Sequence, residues 1–231
     1  MNSCLCCGAA CAVSSAPEAP RRRSTPAQAA RRGVGRADAP LPADCGAGSV
    51  LTVGHSTRPI EAFLALLCAH RVTQLVDVRT VPRSRHNPQF NADALPDSLA
   101  AVNIGHAHAP GLGGFRQTTP DSANAGWRNL SFRGYADYMQ TADFAADLAS
   151  LIELARGDRV ALMCAEAVPW RCHRSLIADA LVVHGVAACE IVSPTRLQPH
   201  KLTPFACVCG RQITYPSART QAEFRERGLP C

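Results

Sequence analysis

Cys164, Glu166, Arg171, Cys172, His173 and Arg174 lie in one short stretch of the chain. Together they supply a nucleophile, a proton carrier and the forked donors that hold a carboxylate, phosphate or sulfate. A thiol that ends an apolar strand just before a helix sits where backbone N–H groups and the helix dipole favour an anion, and a thiolate gains from the same field. The plainer alternative makes Cys164 a small core residue and leaves the arginines solvated. Gly54, His55 and Ser56 form a second polar cluster, in which the histidine is a candidate acid, base or ligand. Asp77 and Arg79, followed by Arg83, Arg85 and His86, form a third. Asp77 is read first as the ion-pair partner that orients Arg79 and second as a catalytic carboxylate. Gly113 and Gly114 would let backbone approach a ligand, with an ordinary turn as the alternative. They form neither a Walker loop nor a dinucleotide fingerprint.

Convergence of these clusters requires strands whose carboxyl ends share one edge. Val50, Leu51 and Val53 form a β-type run that stops at Gly54, and Ile60, Phe63, Leu64 and Leu67 follow helical spacing after Pro59. Leu75, Val76 and Val78 mark a second strand, which ends among Asp77, Arg79 and Thr80, and residues 81–90 a polar, basic loop. Residues 92–102 are predicted helical, and Ile104 to Ala109 form a third, weaker strand. A long irregular stretch follows, whose Trp127, Phe132, Tyr135 and Tyr138 either cap the pocket or serve as packing. Phe144, Leu148, Leu151, Ile152 and Ala155 define a strong helix with Thr141 as N-cap and Gly157 as stop. Val160 to Met163 form a fourth strand ending at Cys164. A helix from Cys172 or His173 buries Leu176, Ile177, Ala180 and Leu181, and Ala188 to Val192 form a fifth strand.

This alternation predicts a three-layer α/β domain over residues 48–205, with a mainly parallel sheet of about five strands and helices on both faces. Ligands in such sheets bind beyond the carboxyl ends of the strands, here just after Val53, Val78 and Met163. Residues 206–231 are expected to hold a small hairpin around Gly210 and a weakly ordered tail.

Residues 1–47, rich in Ala, Pro, Arg and Ser, cannot bury enough apolar surface to offset ordering entropy and are expected to be disordered. A start codon placed too far upstream would remove them, with Cys4, Cys6, Cys7 and Cys11. Half of the net charge of +6 lies in that tail, so the body is only mildly basic and suits a small-anion pocket better than a duplex-binding face. The twelve cysteines lack the regular spacing of a disulfide framework, which points to a reducing cytoplasm. No apolar stretch approaches the length of a membrane span.

Five blocks in fixed order carry a family likeness: TVGHS at 52–56, VDVRTVPRS at 76–84, LGG at 112–114, YADYM at 135–139 and MCAEAVPWRCHRSLIADAL at 163–181. Over about residues 50–205 the chain resembles domain-of-unknown-function family 488, whose members are small bacterial and archaeal proteins. That resemblance implies a domain and a residue set rather than a reaction. A looser likeness, carried by the Asp-Val-Arg strand end and the later Cys-loop-helix, is to rhodanese-like sulfurtransferases, in which a cysteine thiolate carries a persulfide within a ring of backbone amides. The stretch from Cys164 to Arg174 departs from that pattern in its length and in Glu166, Pro169 and Trp170.

Three functions are expected to compete. The first is an enzyme for a small anionic substrate, of thiol-dependent transferase or hydrolase type. In it Cys164 is nucleophile or redox thiol, His55, His173 and Glu166 are the proton-handling candidates, and Ser56, Asp77, Arg79, Arg83, Gly113, Gly114, Arg171, Cys172 and Arg174 bind substrate. The second holds zinc or iron among His55, Cys164, Glu166, Cys172 and His173, and Cys207 with Cys209 offers a further CxC pair. The third, ranked last, is a nucleic-acid-binding regulatory module, suggested by the arginine-rich tail and the basic loop 79–85.

Overall fold

β1 (Val50–Gly54) and β4 (Val160–Cys164) are apolar along nearly their whole length and bury every residue, as central strands of a sheet covered on both faces do. In the computed structural model, which describes residues 45–227, they lie side by side in a six-stranded sheet. Its other strands are β2 (Gln74–Asp77), β3 (Gly105–His108), β5 (Ala188–Ser193) and β6 (Arg196–Pro199), in the order β3-β2-β4-β1-β5-β6. All pairings are parallel except β5 with β6.

The pleat sorts side chains onto two cores. Leu51, Val53, Leu75, Ala161 and Met163 pack against α1 (Ile60–Ala69) and α2 (Leu95–Ala100), through Phe63, Leu66, Leu67, Leu95 and Leu99. Val50, Val76, Leu162 and Cys164 point the other way. They meet α3 (Leu130–Tyr138), α4 (Ala142–Gly157) and α5 (Arg174–Val183) through Tyr135, Leu148, Leu151, Leu176 and Ile177. Cys164 thus faces α5, which begins ten residues later.

Register places the functional groups at one edge. Gly54 pairs with Cys164, and Asp77 pairs with both Met163 and His108, so four parallel strands end level with one another. Hydrogen bonds from His55 N to Cys164 O and from Val78 N to Met163 O, at 2.9 and 3.0 Å, carry the alignment past the strand ends. The chain then turns sharply at Ser56, which adopts φ 50°.

The three-layer α/β expectation holds, with differences in detail. β6 makes the sheet six-stranded, because the short segment RLQP adds an antiparallel edge without the apolar alternation that marks a strand. α3 occupies part of the stretch expected to be irregular, and its start is capped by Asn129 Oδ1, which accepts from Ser131 N and Phe132 N at 2.8 and 3.4 Å. α2 is shorter than residues 92–102. Thr141 caps α4 as expected, its hydroxyl accepting from Phe144 N at 3.3 Å. β7 (Cys207–Cys209) and β8 (Gln212–Thr214) form the hairpin around Gly210, whose φ of 61° suits glycine. Beyond it α6 (Ala218–Glu226) stands where a weakly ordered tail was expected.

A disulfide joins Cys45 to Cys189, a pairing that the cysteine spacing did not suggest. Cys4, Cys6, Cys7, Cys11 and the rest of the expected disordered tail up to residue 44 lie outside the described residues, as does Cys231. Among the described residues no helix is long and apolar enough to cross a membrane.

A Cβ added at Gly54 would overlap the backbone carbonyl of Glu166, whereas one at Gly157, the last residue of α4, would meet open space. Gly54→Ala is therefore expected to destabilise the fold by about 3 kcal/mol, the upper end of overpacking costs. Gly157→Ala should be neutral or stabilising by up to about 1 kcal/mol. Chemical denaturation of the two variants beside the parent chain checks the contrast.

Candidate active site

Cys164 ends β4 at the floor of the strand-end edge, and the chain leaves it through residues 165–171, closing with a 3-10 turn at Pro169–Arg171. That turn delivers Cys172 and then His173, the N-cap residue of α5. The sulfurs of Cys164 and Cys172 and a ring nitrogen of His173 lie within 4.8 Å of one another. Cys172 Sγ is 3.7 Å from His173 Nδ1, and His173 Nε2 is 3.2 Å from Val78 O. Because a carbonyl only accepts, Nε2 carries a hydrogen, and Nδ1 is left to exchange a proton with the thiols. Tyr135 supports the imidazole, with ring centroids 5.1 Å apart. A Cβ at Gly114 would come within 2.6 Å of His173 Nδ1, so that glycine makes room for the histidine.

The two thiols are electrostatically unequal. A hydrogen bond from the Cys172 thiol holds the Cys164 pKa far below its ordinary value; burial opposes this, and His173 and Arg174 assist it. The same hydrogen bond, joined by burial, pushes Cys172 upward. The pair therefore gives up its first proton far more readily than its second, and the direction of the two shifts favours Cys164 as the ionised member.

Arg174 lies beneath this cluster with no exposed surface. Its Nη1 donates to Glu166 O at 2.7 Å and stands 3.7 Å from Cys172 Sγ, and its Nη2 meets Glu190 Oε1 at 3.2 Å. The Thr52 hydroxyl donates to the other carboxylate oxygen of Glu190, whose pKa is raised by burial. A buried guanidinium needs such partners, since an unpaired one carries a desolvation cost of several kcal/mol. They commit Arg174 to the protein interior and away from the anion-holding role considered for it from sequence.

Across the edge, Arg79 Nε and Nη2 grip Asp77 Oδ1 and Oδ2 at 2.8 and 2.6 Å, and Nη2 also donates to Phe90 O at 2.6 Å. Both members of the pair are buried. Arg79 Nη1 lies 3.3 Å from His55 Nε2; as a guanidinium only donates, Nε2 accepts and the hydrogen sits on Nδ1, which donates to Ser56 O at 2.8 Å. Burial, with Arg79 assisting, lowers the His55 pKa, and Phe90 stacks on the ring at 4.2 Å.

A cleft of about 1040 Å³ opens above these groups. Its lining includes His55, Ser56, Arg79, Arg83, Gly114, Cys164, Glu166, Arg171, Cys172 and His173. Asp77, Gly113 and Arg174 stand outside its wall: Asp77 is turned to Arg79, Gly113 packs against Thr80, and Arg174 faces Glu190. Arg83, Arg171 and Glu166 are exposed. Of the five donors considered for a metal, the ring nitrogens of His55 face Arg79 and Ser56 and the exposed Glu166 carboxylate stands outside the close group, which leaves Cys164, Cys172 and His173. Cys207 is disulfide-bonded, which removes the CxC pair from metal binding.

Sequence reasoning missed Glu190, Thr52 and Phe90. Glu190 was detectable as the one charged residue of the strand ACEIVS, and Thr52 as a polar residue inside VLTVG. It also passed over Arg116, which lines the cleft and lies over the Tyr138 ring at 3.6 Å.

Residues 59–181, just over half of the chain, match the family described as Domain of unknown function DUF488, and the chain belongs to that family. The match spans every block of the likeness except TVGHS. No curated protein and no solved structure matches the chain.

Removing one partner of the buried Asp77–Arg79 pair strands the other. Asp77→Ala is expected to lower stability by about 3–5 kcal/mol, read by denaturant titration. His55 titrates in the folded chain below its ordinary 6.5. Its contribution to stability is whole above that pH and shrinks as pH falls below it, because the unfolded chain then binds the proton more readily. His55→Asn should flatten the stability-pH curve in that window.

Proposed function

We propose that this member of the DUF488 family is a thiol-dependent enzyme for a small anionic substrate, with Cys164 as its nucleophile. The observation that carries this reading is the approach of Cys164 Sγ, Cys172 Sγ and a His173 ring nitrogen to within 4.8 Å of one another in the lining of the cleft. A thiolate kept at neutral pH beside a proton carrier is what nucleophilic catalysis by cysteine needs.

The roles follow from what each group has left to give. His173 Nδ1 takes and returns the proton, since its Nε2 is engaged by Val78 O. His55 is already hydrogen-bonded at both ring nitrogens and serves to hold Arg79 and the Ser56 turn. Arg83 and Arg171, exposed at the cleft wall, hold the anion, with the first turn of α5 adding its dipole. Glu166 offers an exposed carboxyl at the same wall to protonate a leaving group. The thiols must stay reduced to act, whereas the Cys45–Cys189 bridge and the disulfide at Cys207 tell against the reducing cytoplasm expected from cysteine spacing. The Cys45–Cys189 bridge belongs to the opposite face of the sheet, where Cys189 packs in the α1–α2 core.

The close approach of three donor atoms favours a second reading, a site for a soft cation such as zinc. Arg174 weighs against it, because its buried guanidinium 3.7 Å from Cys172 Sγ already supplies the positive charge there. A nucleic-acid role finds less support, since the basic groups line a concave cleft rather than a face.

The test is the pH dependence of iodoacetamide labelling, resolved cysteine by cysteine with mass spectrometry. Cys164 is expected to react with an inflection well below pH 7, and Cys172→Ala, which removes the hydrogen-bond donor, should move that inflection upward. An ordinary inflection near pH 8.5 at Cys164 would overturn the nucleophile assignment. Elemental analysis giving close to one metal per chain, in protein purified without added metal, would decide for the cation site.

A further inference from the structure

We infer that Cys164 and Cys172 work as a pair in thiol–disulfide exchange with a small anionic disulfide, Cys164 attacking and Cys172 resolving. The inference rests on the nucleophile reading above and extends it to a substrate class and a second reacting residue. It stands on the geometry of four groups. The two sulfurs lie within 4.8 Å of each other, His173 Nδ1 is 3.7 Å from Cys172 Sγ, and buried Arg174 Nη1 stands at the same distance from Cys172 Sγ. Besides its partners Glu166 O and Glu190, the fully buried Arg174 thus sets a positive charge beside the second thiol. The other free thiols among the described residues, Cys68 and Cys209, are exposed.

The exchange runs in two displacements. The Cys164 thiolate attacks one sulfur of RSSR; the Cys164–SR bond forms, the S–S bond breaks, and the leaving thiolate takes a proton from the His173 imidazolium. Cys164 now carries no charge, so its hydrogen bond and repulsion no longer raise Cys172 and only burial still opposes ionisation there. The neutral imidazole accepts the Cys172 proton, and Arg174 remains beside the new thiolate. Cys172 then attacks the Cys164 sulfur, the Cys164–Cys172 disulfide forms, and the second RS⁻ leaves with the proton held by His173. Two electrons pass from the dithiol to RSSR, giving two RSH; two equivalents of a low-molecular-weight thiol run the reverse steps and restore the pair.

Sharing one charge therefore enforces order: the nucleophile is ionised first, and the resolving thiol is released only after the first bond has formed. Disulfide closure to about 2.05 Å requires the two sulfurs, within 4.8 Å of each other, to move closer. The segment that joins them, residues 165–171, is largely exposed, whereas α5 beyond is anchored by Leu176 and Ile177. The cleft, about 1040 Å³, admits a peptide-sized disulfide, and Arg83 and Arg171 fit one that carries carboxylates.

The experiment incubates the full chain with oxidised glutathione, quenches with acid and maps disulfides by peptide mass spectrometry, which separates the new bond from Cys45–Cys189. The parent chain is expected to give Cys164–Cys172 with no glutathione retained. Cys172→Ser, which keeps a donor to Cys164, should retain one glutathione on Cys164, and Cys164→Ser should form neither product. Reaction at Cys164 should exceed that at exposed Cys68 by at least about 10-fold near neutral pH, where an ordinary thiol is only a few per cent ionised. Glutathione retained by the parent chain as long as by Cys172→Ser would overturn the resolving role. Labelling of Cys164 by iodoacetamide at low pH without faster exchange would overturn the substrate class and leave the nucleophile standing. Failure of both reactions would overturn the nucleophile reading itself. Cys172→Ala serves in the same assay if the serine variant does not fold.

Discussion

A guanidinium without exposed surface imposes more on this fold than any other single group. Arg174 opens α5, yet its side chain runs inward, where water cannot solvate it. It must therefore find acceptors in protein, and it finds them in the Glu166 carbonyl of the loop after β4 and in Glu190 of β5. Glu190 is held in turn by Thr52 of β1. One charge thus ties together the three central strands β4, β1 and β5, the loop bearing the cleft wall and the helix bearing the second thiol. Loss of any of these acceptors would leave a buried ion uncompensated, so the geometry at the strand ends is stiffened by electrostatics as well as by packing.

The opposite side repeats the logic with different residues. Arg79 is closed off by Asp77, Phe90 O and His55, and its own carbonyl lies 2.8 Å from His108 Nε2. Both buried cations are committed to protein partners, so the positive charge free for a ligand resides in the exposed Arg83 and Arg171. With this division the anion site proposed for the cleft leaves neither buried cation unpaired. The two cleft histidines differ in their neighbours: His55 is buried beside the Arg79 guanidinium, and burial chiefly lowers its pKa, whereas His173 Nδ1 stands 3.7 Å from the Cys172 sulfur.

The sheet was legible because β1 and β4 are short, nearly continuous apolar runs, and α4 because Thr141 and Gly157 bracket a clear helical period. α3 was not, because the residues it buries are Gly134, Tyr135, Ala136 and Asp137, which show no aliphatic stripe. Asp137 is buried to accept from Ser122, Asn124 and Thr119, contacts between residues up to 18 apart that no periodicity records. The Cys45–Cys189 bridge spans 144 residues and depends wholly on tertiary placement. For the site, proximity of strand ends followed from topology, and ten of the singled-out residues line the cleft. Direction did not follow: whether Arg174 points outward or inward depends on Glu190, sixteen residues away on another element.

The glycines show the same distinction between position and direction. Gly113 and Gly114 invite interpretation as a ligand cradle, but what approaches them is protein: Thr80 in one case and His173 in the other. Gly54 likewise yields to the carbonyl of Glu166. Each absent side chain lets a wall of the cleft close onto its neighbour, so the imidazole and the loop between the cysteines are set before any ligand arrives. Groups positioned in this way do not have to be ordered again at the moment of reaction, and the entropy of holding thiol, thiol and imidazole together is met once, in folding. For the nucleophile proposed at Cys164 this matters directly, since a displacement of about 1 Å in the supporting loop would weaken the approach of the sulfurs to the imidazole on which that proposal stands.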